Sequence, residues 1–313
     1  MKIQPTNKPV KKSLDFRLRL DIQADKNKGF FSIWKWTSTT NSLTIQDSLD
    51  NSENGLDMDF EIERTNGEEP SLATITIWNL SSSTFNQISS KANAFELYYA
   101  EGSSDWSLLF RGTPYFATQE GAKGGNNKSR GFLNKDDAKG GENDVATVLV
   151  LIDSLHAFET ATISKSYQGT ISIGSIIKDC ATAMGVVLGD EPLSYGFINN
   201  YVARGTCNKV LNELCGKIGC KHVIENGVLH LFDGKKPKIS GYLFDENNST
   251  RPQPELDDDE TLYHFETKLL PSMRAGQYCK CDFDTLTGTR EIVKVLTTGN
   301  NYGTAGQTEI WVK

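Results

Sequence analysis

The chain has 313 residues, 33 basic and 40 acidic, for a net charge of −7, with 37% hydrophobic and 23% charged residues. At ~150 residues per domain this is length for about two domains, enough to bury a core without disulfides or metal, and the composition excludes disorder of the whole chain. No apolar run approaches the ~20 residues of a membrane span, Met1 to Leu14 carries lysines with no apolar stretch behind them and so reads as no secretory signal, and the acidic excess argues against a dedicated nucleic-acid binder.

The N-terminal half reads as β-structure. Leu14, Phe16, Leu18, Leu20 and Ile22 alternate with Asp15, Arg17, Arg19 and Asp21. Leu56, Met58, Phe60 and Ile62 alternate with Asp57, Asp59, Glu61 and Glu63. Period two over such lengths predicts half-buried antiparallel strands. Further strands are predicted over Ala73–Trp78 and Phe95–Tyr99, and Val145–Ile152, apolar on both faces, predicts a central strand. Strands punctuated by turn signals suggest a sandwich or barrel. Between the early strands lies Gly29-Phe30-Phe31-Ser32-Ile33-Trp34-Lys35-Trp36, apolar among polar neighbours. Phe30, Phe31, Ile33, Trp34 and Trp36 are the candidate subunit contact, because aromatics are enriched at interface cores; the competing reading is a strand or loop folded over the barrel. Residues 119–144, rich in Gly, Asn, Lys and Asp, predict a long flexible loop.

After Lys165 the period changes. Ile173, Ile176, Ile177, Cys180 and Met184 share one helical face, with Gly185 as the stop. A second helix is predicted over Cys207–Ile218, capped by Thr206 and ended by Gly219. Asn226-Gly227 between apolar runs predicts a type I′ hairpin. Residues 246–260, with two prolines and an acidic run, predict a linker. Strand patterns then resume at Tyr263 to Leu269, Tyr278 to Phe283, Ile292 to Leu296 and Ile310 to Val312, with a hairpin turn at Thr285-Leu286-Thr287-Gly288. The predicted fold class is mainly β with an α+β insertion: an N-terminal β-barrel-like domain (1–165), an inserted helix–helix–hairpin domain (166–237), and C-terminal strands (238–313) completing a second β-barrel-like domain.

No constellation predicts catalysis. The chain lacks G-x-S-x-G, H-E-x-x-H, G-x-x-x-x-G-K-[ST] and G-x-G-x-x-G. The carboxylate pairs Asp57/Asp59, Asp257/Asp259 and Asp282/Asp284 read as solvated strand, linker and turn residues, although a hydrolase needs one of two acids buried. Cys215, Cys220, His222 and His230 have a C-x4-C-x-H-x7-H spacing, but Cys215 lies on a helix's apolar face, so core thiols and surface imidazoles are expected rather than zinc. Cys279 and Cys281 would share one strand face as core residues. Six cysteines at these spacings suggest no disulfide framework, and reduced thiols, with assembly in a reducing cytoplasm, are the expectation. No metal and no cofactor are predicted.

One ordered series is familiar. It begins with Glu69-Pro70-Ser71-Leu72-Ala73-Thr74-Ile75-Thr76-Ile77-Trp78-Asn79-Leu80-Ser81 and a short helix, Thr84 to Ile88. It continues with Phe95–Ala100, Leu109-Phe110-Arg111-Gly112, and Asp153 to Tyr167 with Gly169-Thr170. The two helices and the Asn-Gly hairpin follow. Leu269-Leu270-Pro271-Ser272, Gly276-Gln277-Tyr278 and the strand Glu309–Val312 close it. Over residues 55–313 this series resembles the baseplate hub proteins of tailed bacteriophages, with Pro70-Ser71 and Asp153-Ser154 where members commonly have Pro-Asn and Asp-Gly. The resemblance implies a structural, non-enzymatic virion protein in the phage tail baseplate. It implies a homotrimer of tail-tube-like barrels that adapts the sixfold tail tube or a distal tail protein to a threefold spike or tail-tip protein. A tape-measure protein terminus would also touch it, and DNA would pass through its channel without specific binding during genome ejection. The competing readings are a tail-tip cell-wall hydrolase, a host glycan-binding module and a tail-tube subunit.

Overall fold

The computed structural model describes residues 16–24, 42–46, 56–65, 70–101, 105–121, 145–154, 160–189, 195–233, 239–257, 260–301 and 306–313. The aromatic segment with Phe30, Phe31, Ile33, Trp34 and Trp36 lies outside the described residues, as do positions 122–144 of the predicted loop.

The first half is antiparallel. In chain order it runs β1 (Phe16–Ala24), β2 (Ser42–Gln46), β3 (Met58–Thr65), β4 (Leu72–Trp78), α1 (Ser82–Lys91), β5 (Ala92–Glu101), β6 (Ser107–Gly121) and β7 (Val145–Ile152). Leu18, Leu20 and Ile22 of β1, Met58, Phe60 and Ile62 of β3, and Ala73, Ile75 and Ile77 of β4 all turn inward, as their alternation predicts. Strand β7 is central, between β4 and β6, which explains its continuous apolar run. Strand β6 continues through residues 119–121, where a loop was expected, and its register shifts between Pro114 and Phe116, which accommodates the proline. Each residue of Asn79-Leu80-Ser81 has a task. Asn79 takes a positive φ of 60° while its Oδ1 accepts from the Val145 N–H, Leu80 is buried, and Ser81 Oγ accepts from the Thr84 N–H to start α1.

The chain then enters a separate unit: β8 (Thr162–Ser172), α2 (Ile173–Met184), β9 (Val187–Leu188), β10 (Phe197–Thr206), α3 (Cys207–Ile218), β11 (Cys220–Glu225) and β12 (Val228–Asp233). Helix α2 ends in a Schellman arrangement at Gly185 (φ 72°), with Val186 N–H on Ala181 O and Gly185 N–H on Thr182 O. Thr206 Oγ1 caps α3 through the Lys209 N–H, and Gly219 (φ 72°) ends it. Strand β10, paired with β8, was not foreseen: of its residues only Tyr201 and Ala203 are buried, with Ile198 packing part-exposed against the same core, and a bulge at Asn200 (φ 50°) breaks the alternation.

The return comprises β13 (Ile239–Phe244), β14 (Gln253–Asp257), β15 (Glu260–Lys268), β16 (Tyr278–Phe283), β17 (Leu286–Asn300) and β18 (Gln307–Val312). Strand β14 lies in the predicted linker. Its proline, Pro254, is tolerated because β14 is an edge strand. The β16–β17 turn falls at Asp284-Thr285, not at 285–288, since Phe283 pairs with Leu286 and Leu286 is buried.

One sheet unites both ends of the chain, in the order β14-β15-β18-β17-β3-β4-β7-β6-β5-β1-β2, with β16 on the other half of β17 and β13 beside β16. The β17–β3 pairing joins them, and Asn301 strengthens it by accepting from Met58 N–H (2.7 Å) and donating to Leu56 O (2.9 Å). Two apolar cores lie along this sheet. One gathers β1, β3–β7 and α1. The other gathers the C-terminal strands, where Phe265 contacts Phe244 and Phe283 at ring distances of 5.1 and 5.4 Å. A third core belongs to the unit from Ala161 to Leu231. The fold is mainly β with an α+β insertion, as predicted. Among the described residues no helix is long and apolar enough to cross a membrane.

Candidate functional site

The β11–β12 hairpin joins the inserted unit to the sheet. Its register pairs Ile224 with Leu229 and His222 with Leu231, and Val223 with His230 and Glu225 with Val228. Period two therefore gives it two faces. Ile224, Leu229 and Leu231 pack on the helices. Val223, Glu225, His230 and Phe232 face the other way, yet they are buried too. Phe232 and Val223 lie over Gly276, where a Cβ would stand 3.4 Å from the Phe232 ring.

That geometry corrects the expectation for the histidines. They are not surface imidazoles. His222 and His230 are both buried, and they point to opposite faces of the hairpin, so they cannot converge with Cys215 and Cys220 on one ion. His222 Nε2 lies 3.0 Å from Asn208 Oδ1, and burial pushes its pKa down to about 4. Cys215 is buried in the helical core, and Cys279 and Cys281, with Sγ atoms 3.9 Å apart, are buried in the C-terminal core.

The second face carries charge at its tip. Glu225 is 3% exposed and meets Arg64, which is 2% exposed, with Arg64 Nε donating to Oε1 at 2.9 Å. Arg274 Nε donates to the other oxygen, Oε2. Arg64 continues the inward period of Met58, Phe60 and Ile62, so β3 delivers a guanidinium where a fourth apolar residue would fit. Its remaining donors reach Leu109 O (2.7 Å) and Thr297 Oγ1 (3.3 Å). A buried guanidinium is tolerable only when its donors are met in this way.

The turn itself is held next to this pair. Asn226 and Gly227 have φ of 51° and 77°, the left-handed pair of a type I′ turn. Asn226 Oδ1 accepts from the Arg111 N–H (2.7 Å), and its own N–H donates to Asp153 Oδ2. Asp153 is fully buried at the end of β7, where Ser154 Oγ donates to Oδ1 (2.7 Å). Burial pushes the Asp153 pKa up to about 7; the hydrogen bonds from Ser154 and Asn226 oppose this, and Glu225 reinforces it. Ser154 adopts φ 52°, a conformation that favours glycine, and its hydroxyl compensates by binding the neighbouring carboxylate. Arg111 is oriented by Glu96 (Nε to Oε1, 2.8 Å), and Glu96 accepts from Tyr98 Oη (2.5 Å). The chain of groups from Tyr98 to Asp153 fixes the hairpin tip to β5, β6 and β7. Its chemistry is that of a joint.

The carboxylate pairs singled out from the sequence do not enter this site. Asp59 accepts from Trp78 Nε1 at 3.0 Å, and Asp57, Asp282 and Asp284 are exposed, while Asp257 ends strand β14 and Asp259 lies outside the described residues. Sequence reasoning passed over Arg64, Glu225 and Arg274, and named Asp153 only as part of the resemblance, with no role. The available signals were an arginine in an inward period and a glutamate inside an apolar hairpin run.

No protein-family model and no curated protein matches the sequence. Solved structures do match. The 43 kDa tail protein of prophage MuSo2 from Shewanella oneidensis superposes with a TM-score of 0.59 at 8% identity, covering 96% of this chain and 97% of that one. The fold is that of phage tail proteins. The tail protein from Neisseria meningitidis MC58 superposes with a TM-score of 0.55 at 11% identity, over 96% of both chains. The E. coli c3393 protein, a type VI secretion component described as similar to the T4 tail proteins gp27 and gp5, gives 0.52 at 7% identity over 85% of this chain and 75% of that one. The first two matches, at 96% of this chain, take in the sheet and the inserted unit together.

Proposed function

We propose that the chain is a structural baseplate hub subunit of a phage tail or a related injection machine. Three copies would form a ring between the sixfold tail tube, or a distal tail protein, and a threefold spike or tip. The observation that carries this reading is the end-to-end likeness to tail proteins, inserted unit included. Two apolar cores along one sheet support it, because two β-barrel-like domains per subunit, split around the insertion at about 166–237, present six similar faces from three copies. The sheet ends at β2 and β14 supply edges that pairing across subunits would cover. The acidic balance, 40 against 33, suits a channel through which DNA passes without adhering. The polar joint then sets the angle of the inserted unit relative to the ring.

Antibody labelling of intact tails tests the placement. The reading expects label at the tip end alone. Label along the whole tube would identify a tube subunit and overturn it.

A further inference from the structure

We infer that His264, Glu266 and Glu309 form a binding site for a divalent transition-metal ion of the zinc class on the outer face of the C-terminal sheet. The inference does not rest on the hub reading.

The ladder builds the site. Strands β15 and β18 pair antiparallel, with His264 opposite Trp311 and Glu266 opposite Glu309. Residues two apart on one strand, and those directly opposite on its neighbour, share a face. His264, Glu266 and Glu309 therefore project together, although 45 positions separate the histidine from Glu309. They are the one group of three such donors within coordinating reach among the described residues, with their ligand atoms all within 4.8 Å of one another. His264 Nε2 and Glu309 Oε2 are 3.1 Å apart. Zinc at its usual ~2.0–2.2 Å from nitrogen and oxygen places neighbouring ligands of a tetrahedron about 3.3 Å apart.

Two features set this group apart from a scatter of surface charges. The first is rigidity. The His264 ring stacks on Trp311 at 4.5 Å and 21°, and Trp311 is in turn held by Glu255, which accepts from its Nε1 at 2.7 Å, and by Lys294 over its ring. A locked imidazole loses little freedom on binding a metal. The second is charge. Glu266 and Glu309 face each other directly, and like charges so placed repel. A divalent cation among the three relieves that repulsion. The donor set names the class of ion. One imidazole with two carboxylates suits a borderline ion such as zinc, while calcium and magnesium favour oxygen alone and soft ions favour thiolates. All three residues are partly exposed, which leaves a coordination position open to water. From sequence alone no metal was expected, because register rather than spacing brings the donors together.

The test is calorimetric titration of the metal-stripped full chain with zinc chloride at pH 7.5, where an ordinary histidine is neutral. One equivalent should bind saturably, and His264→Gln and Glu309→Gln should each weaken binding by at least about 10-fold. In the unaltered protein, imidazole resonances followed by NMR should show one of the four histidines shifting in step with the added zinc. That readout needs no variant to fold. Absence of saturable binding overturns the inference. So does binding that both substitutions leave unchanged, which would locate the ion elsewhere, or calcium binding as tight as zinc.

Discussion

On one face of the β11–β12 hairpin, Ile224, Leu229 and Leu231 disappear among the helices; on the other, Glu225 and Asn226 meet Arg64, Arg274, Arg111 and Asp153. Both faces are buried, but they are held differently. Apolar packing is non-directional and tolerates swaps that conserve volume. Charge-assisted hydrogen bonds are directional and fail when one partner is removed. The inserted unit thus owes its existence to the first face and its orientation to the second.

The comparison breaks most sharply at Arg64. Arg64→Met leaves Glu225 buried with one partner fewer, and the expected cost is about 3–5 kcal/mol in urea unfolding. A cost under about 1 kcal/mol would show that the joint is not desolvated as described. On the opposite face, Leu214→Ala opens a cavity in the helical core and should cost about 2–5 kcal/mol. Hydrogen exchange separates the two. Leu214→Ala should lose protection within residues 161–231, whereas Arg64→Met should lose it on both sides of the joint.

Titration sharpens the contrast, because the two faces respond to pH in opposite directions. His222 has a folded pKa lowered from 6.5 to about 4, so its contribution to stability is present above pH 6.5 and is lost as pH falls through about 4. Asp153 has a folded pKa raised from 3.8 to about 7, so its contribution is present below pH 3.8 and is lost as pH rises through about 7. His222→Gln should abolish the acid loss, and Asp153→Asn should abolish the loss towards neutrality. Each difference from the unaltered protein should be on the order of 1–3 kcal/mol across its window, read from thermal melts at stepped pH. Smaller effects follow. Thr206→Ala, which removes the α3 cap, should cost about 1 kcal/mol. Lys217→Ala, which breaks an exposed pair with Glu213, should cost at most about 0.5 kcal/mol.

The inserted helices were legible to the residue. Thr206 and Gly219 bound α3, and Gly185 ends α2, because caps and left-handed stops are local chemistry. The inward periods of β1, β3 and β4 were equally plain. Strand β14 was hidden by Pro252 and Pro254, which read as loop unless the strand is known to lie at an edge. The joint was invisible for a different reason. Arg64, Asp153, Glu225 and Arg274 are brought together by β17 closing on β3 and by the hairpin docking; an inward arginine and a glutamate in an apolar run can be seen one by one, but local sequence does not say that they meet. The histidines were misplaced because a hairpin covered on both faces loses the alternation that would have said which side met water.

The most direct test of the hub reading is the symmetry of the purified protein at high concentration, seen in electron-microscopy class averages. The account predicts three-lobed rings with a central hole. Sixfold rings or open tubes would contradict it and identify a tube subunit instead.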